Sequence, residues 1–135
     1  MKKVILLSFT LLMMSCLVSN AQTTTKNTKS AAVDKVEAYY FHLSARCITC
    51  QTVEAETKKD LEALYGGKVS FKSINLEEDA SKALAEKLKI SGQTLLLVKG
   101  ETKVNITNEG FMYARTNPVK FKSIIKEKVD KLSEL

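Results

Sequence analysis

The sequence is poor in chain-breaking residues and in the residues that bind metals. Its 135 positions hold one proline, five glycines, one histidine and no tryptophan. So little proline and glycine beside 44% hydrophobic residues excludes a collagen-like or disordered chain. Three cysteines exclude a disulfide-dense scaffold. No Gly-rich phosphate loop, paired catalytic carboxylates or Ser-His-Asp set is visible, and no cofactor is called for. Charge imbalance is slight. The formal charge is +6, and setting aside Lys2 and Lys3, which fall in a leader, leaves +4. That balance calls for neither nucleic acid nor an anionic membrane as partner. What is present suits one domain with a core large enough to fold unaided.

Residues 1–21 have the pattern of a secretory signal peptide. Lys2 and Lys3 start it, Val4 to Val18 carries no charge, and Ser19-Asn20-Ala21 supplies small residues before a cut ahead of Gln22. The apolar run is shorter than the roughly 20 residues that span a bilayer, so no span remains after cleavage. A competing exit exists at Met13-Met14-Ser15-Cys16, which loosely resembles a bacterial lipobox and would anchor the chain through acylated Cys16. Leu17 and Val18 continue the apolar run past that cysteine, which favours cleavage after Ala21. Either exit places the protein in the periplasm, outside the cell or on a membrane's outer face, where disulfide chemistry is at home. Residues 22–34, polar from Gln22 to Ser30, read as a flexible tether, and residues 35–135 as the domain.

Cleavage removes Cys16 and leaves one pair, Cys47 and Cys50, spaced C-x-x-C. A disulfide closing so small a loop stabilises little. A structural zinc site needs four ligands, and the mature chain offers two cysteines and His42. The spacing therefore points to redox chemistry or to thiolate capture of a metal.

Val36 to Leu43 is apolar on both faces from Ala38, as in a central strand covered on both sides. From Cys47 the period becomes helical, with Cys50, Val53, Thr57, Leu61 and Leu64 in one stripe and Gly66-Gly67 as the stop. Lys68 to Leu76 reads as a second strand. Asp79 to Lys89 reads as a helix with Ala80, Ala83, Leu84 and Leu88 on one face. Thr94 to Val98 is a third strand, joined through a turn at Gly100 to an antiparallel edge strand at Thr102 to Thr107. Asn117 and Pro118 open a last helix with the stripe Phe121, Ile124, Ile125, Val129 and Leu132. Crossover helices between the first three strands predict that these pair in parallel. The fold class is α/β, with a mixed sheet of about four strands and about three helices.

These residues resemble the thioredoxin-like family. The resemblance lies in a buried strand, a C-x-x-C opening the next helix, the segment Ser73 to Glu77, and Ile90 to Val98 with the following hairpin. It covers Lys35 to Leu132 and looks like a shortened thioredoxin-like domain without the initial strand–helix pair. Several positions depart from the family. Arg46 replaces the tryptophan before the first cysteine, and Ile48-Thr49 replaces Gly-Pro. Phe41 stands where a buried acid is usual, and Ser73 stands where a lysine often pairs with that acid. Gln93 occupies the cis-proline position, which leaves the approach of metals open.

A helix beginning near Cys47 presents unpaired N–H groups and a positive dipole end to its sulfur, favouring thiolate. Arg46 adds a positive charge next door. Cys47 is then the attacking thiolate and Cys50, facing the core, resolves the mixed disulfide. Partners would be exported proteins with cysteines or a disulfide relay partner. Arg46, Gln93 and Thr94 are the candidate substrate-binding residues. Gln93 would offer an amide to a bound peptide backbone or simply face solvent. Two other classes stay open, a soft-metal or metalloid binder using both thiolates and a non-catalytic interaction module. His42 would serve as a proton relay or a third ligand, but a core histidine satisfied by backbone is favoured. Tyr39, Tyr40 and Phe41 are expected to pack in the core. Lys120, Lys122, Lys126, Lys128 and Lys131 are interleaved with Glu127, Asp130 and Glu134 as a solvated helix face.

Overall fold

The computed structural model describes residues 35–134, so the leader, the tether and Cys16 lie outside the described residues. The elements are β1 (Glu37–His42), α1 (Ile48–Tyr65), β2 (Ser70–Asn75), α2 (Asp79–Leu88), β3 (Thr94–Lys99), β4 (Thr102–Asn105), α3 (Thr107–Tyr113) and α4 (Pro118–Ser133). They build a four-stranded mixed sheet in the order β2-β1-β3-β4. The four helices exceed the three expected from sequence, the extra one being α3.

β1 and β2 pair in parallel, from Glu37 opposite Ser70 to His42 opposite Asn75. β3 runs antiparallel to β1, from Glu37 opposite Val98 to Phe41 opposite Thr94, which corrects the expectation of three parallel strands. The reason lies in α2. Its ten residues are only about 15 Å long. The chain leaves β2 at Asn75 and enters β3 at Thr94, beside Phe41, at the same end of the sheet. β4 closes the antiparallel hairpin with β3, as expected.

Both faces of β1 are covered. Val36, Ala38 and Tyr40 pack with Leu95 and Leu97 of β3 against Val53 and Leu61 of α1 and Phe121, Ile125, Val129 and Leu132 of α4. On the opposite face, Tyr39, Phe41, Leu96 and Val98 meet Leu84, Ala85 and Leu88 of α2. The inward face of α2 is thus Ser81, Leu84, Ala85 and Leu88, while Ala80 and Ala83 are exposed. Two methyl side chains offered too little apolar area to set that helix's rotation.

Local chemistry ends α1 and opens α4 where the sequence predicts, whereas β4 stops at Asn105 instead of Thr107, which opens α3. Gly66 adopts a left-handed φ of 52° and returns its N–H to Glu62 C=O at 2.9 Å. Asn117 caps α4 by accepting from the Lys120 N–H at 3.0 Å, with Pro118 opening the helix. α3 is held by the Asn105 side chain, whose Oδ1 accepts from both N–H and Oγ1–H of Thr107. Gly110 lets α3 approach α1, since a Cβ there would lie 3.1 Å from Val53 Cγ1.

Candidate active site

β1 ends at His42, and a short loop delivers Cys47 to the N-terminus of α1. Cys47 is the N-cap residue (φ −74°, ψ 164°), and its sulfur accepts from the Cys50 N–H at 3.3 Å. No acidic residue occupies the first turn of α1, so nothing there opposes the positive end of the helix dipole. Cys47 is exposed, whereas Cys50 lies one turn on and is 6% exposed. The two form a disulfide with their Cα atoms 5.2 Å apart, inside the normal range.

Arg46 does not lend a free charge to Cys47, as the sequence suggested. Its guanidinium forms an ion pair with Glu54 on the next turns of α1, and both side chains are about three-quarters buried. Gln93, at the end of the loop before β3, reaches back to the cysteines. Its Oε1 stands 3.5 Å from Cys50 Sγ, and its Nε2–H donates to the Tyr40 hydroxyl. Tyr40 in turn donates to the Cys50 C=O at 2.9 Å. The Gln93 amide is therefore engaged within the protein. Burial raises the pKa of Tyr40, with the Gln93 hydrogen bond opposing, so the hydroxyl stays protonated.

Thr94 is buried at the start of β3, and its hydroxyl donates to the Gly92 C=O at 2.9 Å within the same loop. His42 is a buried histidine whose Nδ1 donates to the Leu43 C=O at 2.9 Å. It also lines a cleft of about 390 Å³ with Ser73, Asn75, Glu78 and Ser81, and the cysteines do not line that cleft. Phe41 is buried on the opposite face of the sheet. Lys72, beside Ser73, pairs with Glu37 at 2.9 Å, at the opposite end of β1 from His42.

Tyr40 and Glu54 belong to the site but were not singled out from sequence. A signal existed for each. Strand alternation puts Tyr40 on the face that packs against α1, and Glu54 lies one helical turn after Cys50. Among the described residues no three His, Cys, Asp or Glu side chains are arranged to hold a metal ion, and no helix is long and apolar enough to cross a membrane.

A parallel β1–β2 pair, an antiparallel β3–β4 hairpin and a cysteine pair at the N-terminus of α1 define a thioredoxin-like α/β fold. Thioredoxin O2 from Arabidopsis thaliana, in its oxidised state, is a solved structure with this architecture. It matches with a TM-score of 0.50 and 21% identity, over 70% of this chain and 75% of that one. A malarial protein matches with a TM-score of 0.47 and 21% identity, over 70% of this chain and 96% of its own. No protein-family model matches the chain, and no curated protein matches it.

Proposed function

We propose that the chain is an exported thiol–disulfide oxidoreductase working through Cys47 and Cys50. The observation that carries the reading is the asymmetry of the pair: an exposed sulfur on a helix N-cap bonded to a buried one a turn below. Exposure and the helix terminus suit Cys47 to attack as a thiolate, and burial suits Cys50 to resolve. Ile48 between them is 63% exposed, so the surface that meets a substrate cysteine is partly apolar. In this reading Arg46, Gln93 and Thr94 are the residues proposed to meet the substrate. The basic start, apolar run and Ala21 exit support export, and with it partners that are exported cysteine-containing proteins or a disulfide relay.

The test is exchange with a model protein disulfide. Cys47→Ser should abolish exchange, and Cys50→Ser should accumulate mixed disulfides detectable by mass. Full activity in the Cys47→Ser protein would sink the reading. A reduction potential between roughly −120 and −270 mV would match known exchange proteins. Thiols that remain reduced and protected when Cu(I) is added would point instead to metal capture.

A further inference from the structure

We propose that Gln93 is a positioning residue for the cysteine pair, its side-chain carbonyl keeping the proton on Cys50 in the reduced protein so that Cys47 is the sulfur that attacks. This rests on the redox reading above and concerns the same site.

The orientation of the amide follows from counting hydrogens. Tyr40 has one hydroxyl hydrogen, and it goes to the Cys50 C=O at 2.9 Å. Toward Gln93 the same oxygen accepts, which requires the amide NH₂ to face Tyr40. The carbonyl Oε1 is then turned to Cys50 Sγ at 3.5 Å. Cys50 is 6% exposed, so water competes little for its sulfur. A carbonyl oxygen accepts from a thiol and opposes a thiolate. The other polar groups around the pair are already committed. Arg46 and Glu54 neutralise each other, Tyr40 is held protonated by burial, and the His42 ring, 6.0 Å from that of Tyr40, uses Nδ1 on Leu43.

In exchange, the Cys47 thiolate attacks one sulfur of a substrate disulfide, and the other leaves and takes a proton from solvent. Cys50 then gives up its proton and attacks Cys47 Sγ, and the departing substrate sulfur takes a proton in turn. The substrate disulfide gains two electrons and the dithiol loses two. The Cys50 S–H···Oε1 hydrogen bond exists only on the dithiol side. In the disulfide, two acceptor atoms face each other. Gln93 therefore favours the dithiol and makes the pair more oxidising.

The test uses the full chain carrying Cys16→Ser, so that only Cys47 and Cys50 titrate. Thiolate absorbance of the chemically reduced protein is followed against pH, and the equilibrium with glutathione is measured alongside. Gln93→Met removes the carbonyl at nearly constant length. It should lower the upper of the two macroscopic cysteine pKa values and move the equilibrium about three- to tenfold toward the disulfide, tenfold being about 30 mV. Gln93→Glu should move both quantities the other way, and it decides the matter by sign if the methionine variant does not fold. Titrations and equilibria that superimpose on the parent, or variants that shift in the same direction, overturn the assignment. A parent that exchanges nothing with glutathione while its thiol titration still responds to Gln93 would remove the redox function and leave the assignment standing.

Discussion

Tyr40, at the centre of the sheet, donates its hydroxyl hydrogen to the Cys50 C=O at 2.9 Å while accepting from the Gln93 amide. One phenol thus ties β1, the first turn of α1 and the loop before β3 together behind the disulfide. Tyr40→Phe keeps the ring, which is fully buried, but removes both bonds and leaves the Gln93 amide without its partner. The expected cost is about 1.5 kcal/mol, lowering Tm by roughly 6–12 °C. An unchanged Tm in thermal unfolding of the oxidised protein would show that these bonds contribute nothing net.

The two halves of the Arg46–Glu54 pair make a contrast. Glu54→Gln keeps the side chain's size and releases the guanidinium beside Cys47, which favours its thiolate. Alkylation of the reduced protein at pH 6 should accelerate on the order of two- to fivefold. Arg46→Ala should slow it, because the Glu54 carboxylate then stands unpaired near the thiolate. Equal rates in the parent and Glu54→Gln proteins would refute the account.

The sequence made the site's centre legible because its signals are local. The two-faced apolar run before the loop placed β1 in the middle, and the change to helical period at Cys47 placed the cysteines at a helix start. What was not legible depends on distant partners or on weak amphipathicity. The direction of β3 follows from where α2 delivers the chain, which no periodicity encodes. α3 is seven residues long, and it is held at its start by the Asn105 side chain rather than marked by an apolar stripe. One partner of the Tyr40 hydroxyl lies 53 residues away, and the charge of Arg46 is held by Glu54, a pairing that no local pattern marks.

Gly110 is favoured by close contact, not by backbone angle. A Cβ would meet Val53 Cγ1 at 3.1 Å and Phe121 at 3.6 Å, and Val53 follows Cys50 by three residues on the same helix. For Gly110→Ala the gain in helix propensity of about 1 kcal/mol roughly offsets the squeeze. Gly110→Val should cost about 1–3 kcal/mol by overpacking. Denaturant unfolding of the two variants separates them, and equal stabilities would mean that α3 moves freely away from α1.

Asp60 is a buried acid with an unpartnered oxygen. It sits on the buried face of α1 with its side chain 3% exposed, and among the described residues its Oδ2 has no hydrogen-bond partner. Burial raises its pKa, and the Lys122 ammonium at 3.9 Å offsets only part of this. The folded protein thus holds the Asp60 proton more tightly than the unfolded chain does. Below the unfolded value near about 4, the group imposes no ionisation cost. As pH rises from there through the raised folded value, the unfolded chain loses its proton first and stability falls. Glu37 and Asp130, whose pKa values are lowered in the fold, push the opposite way, so the parent's own pH curve mixes these effects. The difference between Asp60→Asn and the parent isolates Asp60. It should be small at pH 3 and grow with pH to about 1–3 kcal/mol in favour of the variant at neutrality. Lys122→Met should destabilise at neutral pH and have little effect at pH 3. A difference curve that is flat, or that favours the parent at neutral pH, would show that Asp60 is satisfied in solution.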